Sequence, residues 1–333
     1  MKHNIQITMI LIGMFLITQL IGLAVIYAYT PQVEQIEING TVQNVTINPL
    51  PYNLEQPEVD KRISFVSILF AFIIAIFFVF ILTKIRAAVI LRYWFFFVVT
   101  IVLGIVINAI LMQFINHNLL INDFSIPIAS TLAILLALPL AVYKIFKRNI
   151  YVHNITELLI YPGIAVVLIP LLNLWTIVIL LLIISLYDIW AVWHSGFMQK
   201  MAHFQINELK IFGGFFVPYL NKKQRAMIRE ARLKKSRYAK MRKLKKMKIN
   251  LAILGGGDIV FPIITAGVVI RDHNFSIPLF GIPGLLSALI VVFGATFALS
   301  LLFFYSKKGK FYPAMPFITA GLLLGILISS FLR

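Results

Sequence analysis

Long uninterrupted apolar runs separated by short polar breaks dominate this chain, and several reach the ~20 residues that a helix needs to cross a bilayer. Nine such stretches stand out, at about 5–29, 63–82, 93–115, 125–143, 156–172, 174–193, 249–270, 279–305 and 313–332. They predict an all-α, polytopic bundle of nine transmembrane helices. The first run, Ile5 to Tyr29, is too long for the apolar core of a signal peptide and lacks a small-residue cleavage site, so it reads as a retained span. The fifth and sixth runs are separated by little more than Asn173, and the fifth carries Pro162 and Pro170, which predict a tilt or kink. Alternation around Glu34 to Ile47 predicts a small hairpin turned at Asn39-Gly40.

The polar breaks divide the chain into three parts. Residues 1–199 hold spans one to six with an acidic loop at 30–62, residues 200–248 form a basic loop, and residues 249–333 hold spans seven to nine. Basic and base-poor connections alternate along the chain. By the positive-inside rule the N-terminus and the 200–248 loop are expected in the cytoplasm, and the C-terminus outside. The sequons at Asn39 and Asn44 then fall on the outer side, where a glycan can be attached.

Composition sharpens this picture. Hydrophobic residues make up 60% of the chain and mean hydropathy is +0.93, more apolar surface than one soluble core encloses. With no cysteine, disulfides, thiolate catalysis and Cys-ligated zinc are excluded. Of the 30 Lys and Arg, 16 lie between Lys200 and Lys248, facing only Glu208 and Glu230. A loop of that charge is expected to lie against anionic membrane lipids, each base contributing about 1 kcal/mol near the surface. No aromatic stacking platform accompanies the bases, so nucleic-acid binding is not expected. Oligomeric state is not encoded in any such pattern.

Acids are few, 12 in all, and two sit deep in apolar runs: Asp188, after Tyr187, and Asp258, after Gly255-Gly256-Gly257. A carboxylate in hydrocarbon costs several kcal/mol, so each marks a candidate functional site. Asp188 precedes the end of its span by about 9 Å and Asp258 follows the start of its own by about 13 Å at helical rise, which places both in the cytoplasmic half. No Lys or Arg lies inside any span to neutralise them. Two facing carboxyls without a counter-cation cannot easily both ionise, and they hold one shared proton. Such a pair suits amide hydrolysis, one carboxylate taking a proton from water while the protonated partner hydrogen-bonds the carbonyl.

Tyr187-Asp188, Gly255-Gly256-Gly257-Asp258 and Pro313-Ala314-Met315-Pro316 resemble, in order and spacing, the Tyr-Asp, Gly-x-Gly-Asp and Pro-Ala-Leu signatures of the presenilin and signal peptide peptidase family of intramembrane aspartyl proteases. Met315 replaces the usual Leu, a near-volume-conserving change. The resemblance implies a presenilin-like nine-span bundle, Asp188 and Asp258 as the catalytic pair, and transmembrane peptides as substrates. It also implies Tyr187, Gly255 and Gly257 as supporting motif residues, and Pro313, Ala314 and Met315 as a border of the site that contacts extended substrate. No cofactor or metal is implied. Pro313 also suits the first turn of a helix, and Pro262, lacking an N–H, frees the carbonyl of Asp258.

Other membrane proteases fit less well. There is no His-Glu-x-x-His for zinc and no Gly-x-Ser-Gly of the rhomboid kind, and Val260 stands where prepilin peptidases carry a base. A proton-coupled transporter or channel using the two aspartates as a relay is the alternative from another class. No inverted repeat supports it, because the glycine-rich acidic element has no counterpart in the first half.

Overall fold

The computed structural model describes residues 5–30, 32–38, 41–47, 88–115, 118–121, 124–147, 149–195, 213–219, 250–272, 275, 277–279, 281–306 and 312–332, with scattered positions between 67 and 81. Its helices are α1 (Ile5–Ala28), α2 (Ala88–Leu111), α3 (Ile128–Phe146), α4 (Ile150–Leu168), α5 (Leu174–Trp190), α6 (Gly256–Arg271), α7 (Leu285–Tyr305) and α8 (Met315–Phe331). Among the described residues, six helices are long and apolar enough to cross a membrane: α1 to α5 and α7. Most of the expected span at 63–82, the Asn39 sequon and most of the 200–248 loop lie outside the described residues.

The fold is mostly helical rather than all-α. Among the described residues, three antiparallel pairs accompany the helices: β1 (Gln32–Ile38) with β2 (Thr41–Ile47), β3 (Asn118–Ile121) with β4 (Phe124–Pro127), and β5 (Gly214–Tyr219) with β6 (Asn250–Gly255). The first is the hairpin expected from alternation, its register closing with Ile38 opposite Thr41. The third corrects the expectation of one continuous helix over 249–270. Residues 250–255 are an apolar run of six, and periodicity alone does not separate a buried strand from a helical turn. Their partner strand, 214–219, is remote in sequence and decides the matter.

The short break between the fifth and sixth spans has a local cause. Helix α4 starts earlier than expected, at Ile150, because the Asn149 side chain accepts from the N–H groups of Tyr151 and Val152. It tightens into a 3-10 turn at Ile169–Leu171, around Pro170. Asn173 then caps α5 in a reciprocal box, its Oδ1 accepting from Thr176 N at 2.8 Å while Thr176 Oγ1 accepts from Asn173 N at 2.8 Å.

Helix α6 is the centre of the bundle. It packs against α1, α4, α5, α7 and α8, and Ile259 together with Pro262 through Ile270 are buried. Gln19 of α1 reaches it, Nε2 donating to Ile259 O at 3.0 Å. Glycines let α7 and α8 touch backbone to backbone, since a Cβ on Gly294 would meet the Gly321 carbonyl and the reverse also holds.

Candidate active site

Helix α6 begins at the glycine run. Gly255 is the N-cap, and Asp258 stands third in the helix, so its side chain turns back toward the N-cap backbone N–H. This is the acidic half of a capping box, and it satisfies one of the donors that a helix start leaves unpaired. A Cβ on Gly255 would stand 3.2 Å from Asp258 Oδ2, so glycine there keeps the carboxyl in this pose. Gly257 has room for a side chain by the same measure. Asp258 is therefore set by its own helix start, not by a position nine residues inside a helical span.

Asp188 stands near the end of α5 and is buried. Its Oδ2 accepts from Met315 N at 3.0 Å, and the Ala314 N–H also bears on the carboxyl. Ala314 is the N-cap of α8 and Met315 its first helical residue. Asp188 thus answers the unpaired donors and the positive dipole end of a helix that is far away in sequence. Immediately after Asp188 the chain widens into a π-turn at Ala191–Ser195, a distortion found mostly at functional positions. Helices α5 and α6 pack together, and the two carboxyls are near enough for the charge of Asp188 to act on Asp258.

The other sequence-marked residues fall on two sides of this pair. Ala314 and Met315 deliver backbone donors to Asp188. Pro313 lies before α8, and Pro316 is its first-turn proline instead. Tyr187 is within electrostatic reach of Asp188, yet its ring is 46% exposed and lies against Trp190, 6.3 Å between centroids. Pro262 is buried inside α6, one turn beyond Asp258.

Several neighbours were not singled out by sequence. Ser185 Oγ and Thr319 Oγ1, 2.8 Å apart and buried, tie α5 to α8 one turn from Asp188 and Met315. Glu157, at the edge of its apolar run, is only 2% exposed and forms an ion pair with Lys144 of α3. Tyr161, one turn further along α4, lies on Gly256 and meets Phe215 edge-on at 5.9 Å between centroids. The signals in sequence were weak: single polar residues near span ends, of a kind usually solvated.

Strand β5 is held by α4 on the side away from β6. Asn154 Nδ2 donates to Phe216 O at 2.8 Å and its Oδ1 accepts from Phe216 N at 3.0 Å, while His153 Nε2 donates to Gly214 O at 2.8 Å. The described residues 213–219 are packed: Phe215 is buried, and Pro218 falls on the α4 side, where β6 requires no donor.

The family model for signal-peptide peptidase and presenilin aspartyl proteases matches residues 12–333. Two solved structures of a presenilin family intramembrane aspartate protease share the fold. One, in a C222 crystal form, has a TM-score of 0.57 at 15% identity over 98% of this chain and 99% of that one. The other, in a P2 form, has a TM-score of 0.54 at 15% identity over 97% of each. No curated protein matches the chain. With the family model spanning nearly its whole length, this chain belongs to the signal-peptide peptidase and presenilin family of intramembrane aspartyl proteases.

Proposed function

We propose that the protein hydrolyses peptide bonds within transmembrane segments, with Asp188 and Asp258 as a general acid–base pair and water as the nucleophile. One observation carries the reading: α5 and α6 bring the two acids within electrostatic reach, while the buried Lys144 is committed to Glu157. With one proton between them, one carboxylate removes a proton from water as it attacks the amide carbon. The protonated partner donates to the carbonyl oxygen, and the departing nitrogen is then protonated as the C–N bond breaks. The backbone donors of Ala314 and Met315 keep the Asp188 oxygens in place through this cycle.

A helical substrate hides its carbonyls in internal hydrogen bonds, so it must open locally before attack. The β5–β6 pair offers a place for the opened segment. Because Asn154 and His153 occupy the outer edge of β5, β6 presents the edge left for strand addition, at Leu251 and Ile253. That edge leads directly into Asp258. Water is expected from the cytoplasmic side, where the acids lie nearer.

Purified protein in vesicles, incubated with membrane-spanning peptides with and without an aspartyl transition-state analogue, tests the reading. Cleavage that the analogue blocks, and that Asp188→Ala and Asp258→Ala each remove, is the expected result. Proton-coupled flux without cleavage favours the transporter alternative. Orientation is a separate step. The 16 bases of the 200–248 loop favour a cytoplasmic loop lying on anionic lipid, and substrates with the N-terminus outside. Faster cleavage of a segment inserted the other way, or labelling of the loop from outside, contradicts that assignment.

A further inference from the structure

Tyr161 occupies the junction of three elements. Its ring lies against Gly256, the variable position of the Gly-x-Gly-Asp motif, where a Cβ would stand 2.9 Å from the ring carbon Cε1 and 2.9 Å from the hydroxyl. The ring has little room to retreat, since it is 4% exposed and Phe215 of β5 packs edge-on against it. Its hydroxyl is buried without a hydrogen bond of ordinary geometry, beside the Glu157 carboxylate one turn earlier and within reach of the Asp258 charge. Glu157 is itself fixed by Lys144. A buried phenol next to two carboxylates is costly unless it is used, and nothing in the pairing of α4 with α6 requires a hydroxyl there.

We propose that Tyr161 is a positioning residue for Asp258: its ring braces Gly256 at the start of α6, and its hydroxyl, packed over the same residue, is the polar group that α4 brings to the turn carrying Asp258. Gly256 is then glycine because the tyrosine fills the space of its side chain. The inference rests on the proteolytic reading of Asp188 and Asp258, so Asp258→Asn is assayed in parallel. Cleavage surviving in that variant sinks the reading itself and not the role of Tyr161.

The two parts of the role separate by substitution. Tyr161→Phe keeps the ring and removes the hydroxyl. It is expected to lower kcat about tenfold with KM within about twofold of wild type and an unchanged thermal midpoint, as for a group acting only on the chemical step. Gly256→Ala is expected to lose at least as much kcat, because the new methyl displaces the ring or the first turn of α6. Combining it with Tyr161→Ala opens the space, so the double variant should exceed Gly256→Ala alone in kcat; that coupling marks direct contact. Wild-type kcat in Tyr161→Phe overturns the hydroxyl role. An additive double variant, or a fully active Gly256→Ala, overturns the brace.

Discussion

Glu157 and Asp258 are both acids enclosed by helices, and they are neutralised in opposite ways. Glu157 faces Lys144, a full charge, and the pair ties α3 to α4. Asp258 faces a second acid and takes the backbone donor of Gly255 at its own helix start. Asp188 in turn has the donors at the start of α8. Partial charges at helix ends steady a carboxylate without locking it into an ion pair. The contrast teaches where chemistry is available: on the proposed reading a proton moves between Asp188 and Asp258, whereas Glu157 is held in an ion pair with Lys144.

The sharpest way to break the comparison is at the aspartates. Asp188→Asn or Asp258→Asn keeps size and removes proton exchange, so cleavage of a membrane-spanning peptide should fall by about 10⁴-fold, the upper range for general acid–base catalysis. Among the described residues neither side chain is in an ion pair, so thermal unfolding of the purified variants should stay near wild type. Near-wild-type turnover in either correctly inserted variant would falsify the shared-proton mechanism.

Glu157 should behave in reverse. Glu157→Ala strands the Lys144 charge and should cost about 3–5 kcal/mol of stability, whereas Lys144→Met with Glu157→Gln removes both charges and should be close to neutral. Thermal or SDS unfolding of the three proteins measures this. A single variant as stable as wild type would show that the pair does not hold α3 and α4 together.

The pH profile sharpens the same distinction. Activity should be bell-shaped, falling about tenfold per unit beyond each limb. At high pH the shared proton is lost and no acid remains; at low pH both carboxyls are protonated and no base remains. The neutral Lys144→Met/Glu157→Gln protein should retain both limbs, because they belong to the aspartates. A single-limbed profile under chemistry-limited conditions points to another arrangement.

The smallest effect concerns substrate. A glycine placed a few residues from the scissile bond weakens the substrate helix by about 1 kcal/mol and should speed cleavage several-fold if opening limits the rate. Initial rates on a glycine series read this directly, and uniform slowing shows that opening is not limiting.

The aspartates and their glycine and proline contexts were legible in sequence because each is a local departure from a monotonous apolar pattern. An acid among leucines is conspicuous. Glu157, Tyr161 and Ser185 were not, since polar residues near span ends ordinarily meet water or lipid headgroups, and only packing shows that these are buried. Tyr187 was conspicuous through its motif, yet its ring lies on the outer flank against Trp190.

What the sequence by itself determined is the membrane class, six helices long enough to cross among the described residues, the hairpin at 32–47 and two conspicuous carboxyls in apolar runs. These follow from side-chain solvation and near-neighbour backbone chemistry, which need no knowledge of the rest of the chain. Tertiary structure alone decided that 250–255 is a strand, because its partner lies more than thirty residues away. It also decided that the start of α8, and not a base, answers Asp188, and that Tyr161 fills the space Gly256 leaves. Each of these is a contact between segments distant in sequence, and such contacts leave no period in the pattern of either segment.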